Sequence, residues 1–196
     1  MRHLLPTLIA LTVLTAPARA QNAASTAEQI KLAVLALPAD LRDGATAMIY
    51  NDAGELVVGR QGTNDFICLG DKPGDERIQS ACYHKSLEPF MARGRELKAQ
   101  GKSPTEALEM RHQEADAGKL ELPKEPAILY NLMADLKDFD PEHPHVSLYA
   151  IYVPYATAAS TGLTEKPSAP GAPWIMRPGT ASAHIMVVPP SGGHVH

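Results

Sequence analysis

The first twenty residues constrain the fold most, because the sequence predicts that they are not part of it. Arg2 and His3 form a short basic start, Leu4 to Thr15 are largely apolar, Pro17 breaks the run, and Ala18-Arg19-Ala20 puts small residues at both positions a signal peptidase reads. This three-part pattern is that of a secretory signal, and its apolar core is too short to span a bilayer as a helix. The competing reading, a buried N-terminal helix of the mature fold, does not account for the pattern. No Cys follows the apolar run, which excludes a lipid anchor on an N-terminal Cys, and there is no twin-Arg pair. No later segment is apolar enough to cross a membrane. The expected organisation is a signal peptide at 1–20, a single globular domain at 21–190 and a flexible His-containing tail at 191–196, in a periplasmic or secreted protein.

Cleavage after Ala20 would remove Arg2 and Arg19, leaving 16 Lys+Arg against 22 Asp+Glu, a net charge of −6. Such a domain repels nucleic acid and anionic lipid, so neither is expected as a partner; a small ligand or an envelope protein is compatible with the charge. The 176 residues that remain can bury a sizeable core without a metal. Two cysteines, Cys68 and Cys82, in an oxidising compartment point to a disulfide. The segment between them carries Gly70, Pro73, Gly74 and several charges, with no apolar period to hold it in place, and cross-linking a loop of this length stabilises by ~3 kcal/mol. The competing reading, a reactive thiol at Cys82 with His84 two residues on, runs against the compartment, and neither Cys belongs to a Cys-x-x-Cys pair.

The pattern along the chain predicts an α+β fold, mainly an antiparallel sheet with about three helices. Ser25-Thr26-Ala27-Glu28 has capping-box spacing and precedes Ile30, Leu32, Ala33, Val34 and Leu37, a helix ended by Pro38. Thr46 to Tyr50 and Leu56 to Gly59 are β-prone and flank Asn51-Asp52-Ala53-Gly54, a hairpin signal. Phe66-Ile67-Cys68 reads as a third strand. Leu87, Phe90, Met91, Gly94 and Leu97 recur at helical steps up to Gly101, with Ser86 the expected cap. Ser103-Pro104-Thr105-Glu106 starts another helix, stopped by Gly118, whose face of Ala107, Leu108, Met110 and Ala115 is poor enough to place it at the surface. Ala127 to Met133, Ser147 to Tyr155 and Ala183 to Val188 are β-prone. The four prolines within 166–179 confine that stretch to ordered coil or a sheet edge. Helices grouped between two sets of strands favour α+β over alternating βαβ units.

Gly62-Thr63-Asn64-Asp65-Phe66-Ile67-Cys68, Cys82 leading into the Phe90–Gly101 helix, and Val153-Pro154-Tyr155-Ala156-Thr157 recur together in one kind of chain. So do Thr161-Gly162-Leu163 and the stretch from Pro173-Trp174-Ile175-Met176 through Ala183-His184-Ile185-Met186. On these segments the chain resembles a family of exported bacterial proteins with no assigned activity. The resemblance spans most of the mature chain up to Pro190. It implies export and a single domain, and brings no catalytic residue, cofactor or substrate with it.

Motifs for known chemistry are missing: there is no phosphate loop, Gly-x-Ser-x-Gly elbow, Ser-x-x-Lys, His-Glu-x-x-His or Gly-x-Gly-x-x-Gly. Three histidine features remain. His143-Pro144-His145 follows Asp138, Asp140 and Glu142 and reads either as an acidic metal loop or as a solvated turn. His194 and His196 lie in the tail. His184 and Met186 differ, because alternate residues on a strand point to one side, here on a strand with two largely apolar faces. A buried imidazole needs a hydrogen bond, and a main-chain carbonyl would supply one without any function. Imidazole and thioether together also form a soft pair suited to copper, with Met176 near Trp174 as the nearest further ligand. Three functional readings follow. One is a non-catalytic module binding a metal or small ligand around His184 and Met186. Another is a periplasmic hydrolase using His184 as acid/base. The third is an envelope interaction domain using the Pro-rich segment.

Overall fold

The computed structural model describes residues 25–74 and 76–190; the signal-peptide and tail assignments, His194 and His196 included, lie outside the described residues. The expected α+β class is observed. Eight strands form one sheet in the order β2-β1-β3-β4-β5-β6-β8-β7. They are β1 (Thr46–Tyr50), β2 (Leu56–Arg60), β3 (Phe66–Leu69), β4 (Arg77–His84), β5 (Ala127–Asp135), β6 (Leu148–Tyr152), β7 (Trp174–Met176) and β8 (His184–Val187). All neighbours are antiparallel except β1 and β3, which run parallel. Three helices of eight or more residues accompany the sheet: α1 (Thr26–Ala33), α3 (Glu88–Ala99) and α4 (Pro104–Asp116). Two single turns, α2 (Ala39–Arg42) and α5 (Ala158–Thr161), are the other α-helical segments among the described residues.

The capping box of α1 forms as its sequence dictates: the Glu28 N–H donates to Ser25 Oγ at 3.3 Å and the Ser25 N–H donates to the Glu28 carboxylate at 2.7 Å. That helix ends at Ala33, earlier than Pro38, and residues 33–37 stay buried as consecutive turns. The carbonyl of Ala33, orphaned at the helix end, accepts from Ser80 Oγ on the sheet. This contact fixes α1 over the face that carries Cys68, Ser80, Cys82 and Leu132. The predicted disulfide is present there, between residues directly opposite each other on β3 and β4, both fully buried. The expectation that the segment between the cysteines has nothing but the bridge to hold it in place is corrected, since β4 starts at Arg77 and pairs with both β3 and β5. Gly62 is required where it stands, because a Cβ there would come within 2.2 Å of the Thr46 main-chain nitrogen.

The opposite face of the sheet is covered by α3 and α4. Tyr83, Leu87 and Ala127 are buried there with Ile67, Met91, Leu129 and Tyr152 against them. The expected cap at Ser86 is also corrected. A 3-10 turn over Lys85–Leu87 precedes α3, and it is capped by His84, whose Nδ1 accepts the Ser86 N–H at 3.3 Å. Pro89 is tolerated in the first turn of α3, where its missing N–H costs nothing. The segment 166–179 behaves as expected, mostly coil with the three-residue edge strand β7. The strand β8 is less enclosed than its apolar pattern predicts: His184 is buried, whereas Ile185, Met186 and Val187 are only partly so, because β8 lies one strand from the sheet edge.

Candidate functional site

The histidine singled out by the sequence lies under α4. On antiparallel neighbours, directly opposed residues share a face. His184 is opposite Tyr152 on β6 and Met176 on β7, while Met186 is opposite Ala150 and Trp174. The sheet therefore brings His184, Met186, Met176, Trp174 and Tyr152 together on the helix-covered face. The rings of Tyr152 and His184 stack with centroids 5.0 Å apart, and Tyr152 also meets Phe90 of α3 at 6.5 Å.

His184 is 5 % exposed, and its Nδ1 lies 2.7 Å from the carbonyl oxygen of Ser182. A carbonyl only accepts, so Nδ1 carries the proton, and in the neutral ring Nε2 presents a lone pair. Burial holds the imidazole below its ordinary pKa; the Ser182 carbonyl opposes this and the charge of Arg177 reinforces it. No carboxylate contributes.

The rest of the group comes from α4 and from the loop between β7 and β8. Arg111 sits on the inward stripe of α4 between Ala107 and Ala115, both buried, at i,i+4 spacing. Its guanidinium lies between the helices. Cζ stands 4.2 Å over the Phe90 ring, Nη1 donates to Phe90 O at 3.1 Å, and Nε donates to Ala107 O at 3.2 Å. Gly94 makes the room, since a Cβ there would lie 2.9 Å from Cζ and Nη1. Burial lowers the pKa of Arg111; Tyr152 opposes the shift and Arg177 adds to it. The next residue, His112, places Nε2 2.7 Å from Ser182 Oγ and is likewise held below its usual pKa, first by burial, then by Arg177 and Arg111, against the opposing pull of Asp116 and Glu109. The Tyr152 hydroxyl is pushed up by burial, against the pull of Arg111 and Arg177.

Arg177 lies on the β7–β8 loop, which the hydrogen bond between Ser182 and His112 ties to α4. It is exposed, at a backbone φ of 52°, and Tyr155, across the adjoining loop, has φ 62°. Non-glycine residues in this left-handed region carry strain that concentrates at functional sites. None of the ion pairs seen among the described residues involves Arg111 or Arg177.

The sequence singles out His184, Met186, Met176 and Trp174, which the sheet places on one face, and gives no prominence to Arg111, His112, Tyr152, Arg177 or Ser182, which the fold brings beside them. One signal was available: an Arg at the i+4 position between two alanines of an inward-facing stripe.

Two other groupings resemble catalytic arrangements. Ser182 Oγ and His112 Nε2 have the spacing of a nucleophile and its base. Ser182 is only 1 % exposed, however, so its hydroxyl meets no substrate and acts instead as a tether between α4 and the β7–β8 loop. Ser86 Oγ lies 2.8 Å from His84 Nδ1 beside a cleft of about 730 Å³, with Asp65 Oδ2 3.9 Å from Nε2. That carboxylate is engaged by Lys85 at 2.7 Å, and the same Nδ1 caps the 3-10 turn, so the trio is a capping device. Cys82 is not a free thiol. His143 is exposed and pairs with Asp140 at 2.8 Å, which raises the pKa of the imidazole, and His145 is exposed. No cluster of three or more His, Cys, Asp or Glu suited to a metal occurs among the described residues, and none of their helices is long and apolar enough to cross a membrane. No family model, curated protein or solved structure matches the chain.

Proposed function

We propose that this chain is an exported, periplasmic or secreted, non-catalytic binding module whose small ligand sits where α4 and the β7–β8 loop meet the face of β6, β8 and β7. The observation that carries this reading is Arg111: a partly buried guanidinium, locked by two main-chain carbonyls and an aromatic ring, without a carboxylate partner among the described residues. Buried charge without a partner is costly, and proteins keep it where a ligand supplies the partner. Binding is favoured over hydrolysis because no carboxylate acts on His184 and because the one serine at hydrogen-bond distance from a histidine in this group is enclosed. The test is to follow backbone amide shifts of the folded protein against a panel of neutral, cationic and anionic metabolite-sized compounds. Saturable shifts centred on residues 111–112, 150–152 and 176–186 are expected. A panel that leaves these residues unmoved refutes the reading.

A second reading, a soft metal site, is favoured by Met176 standing directly opposite His184, which places two thioethers and an imidazole on one face. Titration with Cu(I) and Cu(II) beside His184→Ala and Met186→Leu tests it; equal binding by all three proteins, or none, ends it. The positive charge of Arg177 on the imidazole opposes a cation there, which ranks this reading below the first.

A further inference from the structure

We propose that a separate site, the cleft between the Pro-rich coil and the chain just beyond β8, takes an uncharged, largely apolar small molecule. The cleft has a volume of about 560 Å³ and is lined by residues 167–171, Trp174 and residues 188–190. That volume falls within the roughly 300–1,000 Å³ of small-molecule pockets, whereas a protein partner needs a patch of about 20–30 residues a side. No residue of α4 lines the cleft, so the proposal goes beyond the site at Arg111 and is tested without it.

The walls of this cleft are held by the fold. The Ile175 N–H of β7 donates to Thr164 O at 2.9 Å, which ties the chain entering the coil to the edge strand. The Ala172 N–H donates to Ala169 O at 3.0 Å and Gly171 takes a φ of 77°, so the coil turns back before β7. A Cβ at Gly171 would lie 3.8 Å from Val188 O, so this turn packs against the chain that leaves β8. Trp174, partly buried on β7, completes the lining. Pro167, Pro170, Pro189 and Pro190 have a locked φ and almost no side-chain freedom to lose, which makes the walls preorganised.

The lining also selects the charge of the occupant. None of its nine residues is charged, whereas Lys85, Glu121 and Lys124 line the cleft beside His84, and Glu55, Lys72 and Arg95 the one beside Tyr50. A charged group entering the Trp174 cleft would shed water and gain no ionic partner. Four of the nine are prolines, which present carbonyl acceptors without an N–H, so an anion meets few donors. What the cleft offers is apolar contact with the indole and pyrrolidine rings. Its side-chain donors, the Trp174 N–H and the Ser168 hydroxyl, are both neutral.

The experiment is a fluorescence titration of the folded protein with uncharged N-phenyl-1-naphthylamine and with its anionic counterpart, 8-anilinonaphthalene-1-sulfonate. Trp174 is the single tryptophan of the chain and serves as energy donor to a bound probe. Ala169→Asp and Val188→Asp each place a carboxylate in the lining, one on the coil and one beyond β8. Both residues are exposed, so either variant carries the test if circular dichroism shows the other to be misfolded. Saturable binding of the uncharged probe is expected, with energy transfer from Trp174 and an affinity about tenfold or more above that of the sulfonate. The folded variants should bind the uncharged probe about tenfold or more weakly than wild type. No saturation, no energy transfer from Trp174, equal affinity for the two probes, or binding unchanged in the folded variants overturns the proposal.

Discussion

Arg111→Met separates a residue kept for a ligand from one kept for the fold. Methionine retains an unbranched apolar stem against Phe90 and Gly94 and removes the charge with two hydrogen bonds, to Phe90 O and Ala107 O. Hydrogen bonds from a charged donor contribute about 1.5–3 kcal/mol each, so their loss costs about 3–6 kcal/mol. Both carbonyls lie inside helices and keep their i+4 partners, so no acceptor is left orphaned. On the other side, withdrawing an unpaired guanidinium from water costs several kcal/mol, and Arg177 adds repulsion. The two sides cancel to within about 1–2 kcal/mol, and the expected outcome is a variant close to wild-type stability that no longer shows the amide shifts of the ligand panel. Urea denaturation followed by far-UV circular dichroism reads the stability, provided the slope of the transition is unchanged, and the amide-shift panel reads the binding. A loss beyond about 4 kcal/mol would refute the reasoning, because it would mean the guanidinium is already fully compensated by the protein. Gly94→Ala is the companion: its Cβ would come within 2.9 Å of the guanidinium, while alanine adds up to about 1 kcal/mol of helix propensity. It should weaken the amide shifts of the ligand panel with all charges in place.

Further outcomes follow from the rest of the fold. Replacing both Cys68 and Cys82 by Ser should lower stability by ~3 kcal/mol in urea, and labelling of denatured, unreduced protein should find no free thiol. Ser80→Ala leaves the buried Ala33 carbonyl without its partner and should cost about 1–3 kcal/mol, measured by the same denaturation. Glu114 is held below its ordinary carboxyl value of 4.5, chiefly by the hydrogen bonds from Arg93. A folded-state pKa below the unfolded one means that the Glu114–Arg93 pair stabilises fully above pH 4.5 and that this contribution disappears as pH falls through the lowered value. In Glu114→Gln the acid limb of a Tm-against-pH profile should be shallower than in wild type.

What was legible in the sequence was whatever local chemistry decides. The Ser25 and Ser103 capping boxes, the Asn51–Gly54 turn and the Cys68–Cys82 bridge each depend on residues a few positions apart or on the redox compartment, and each is present in the fold. The cap of α3 was misassigned because Ser86 and His84 both fit the spacing, and only the 3-10 turn decides between them. Register between distant strands carried no local signal. That Met176 faces His184, and Trp174 faces Met186, follows from pairing a Pro-bounded three-residue edge strand with β8, which periodicity does not encode. Arg111 stayed hidden for a related reason. On α4 it reads as an ordinary charged residue until α3 supplies Phe90, Gly94 and the second carbonyl.

The backbone at residue 177 bears on the same question as the charges. A φ of 52° suits glycine and strains arginine, at a cost of order 1–3 kcal/mol. Glycine would adopt it without strain, and Gly179, two residues on, already does so at φ 76°. The loop is held tightly by its hydrogen bonds to residues 153–156 and by Thr180, so the strain has not relaxed through disorder of the backbone. An exposed arginine at a position better served by glycine gives the fold no packing in return. What it does give is a positive charge on the loop that His112 of α4 tethers through Ser182. Strain at Arg177 and the charge of Arg111, unpaired with any carboxylate, are separate costs borne by the elements that frame the proposed ligand site.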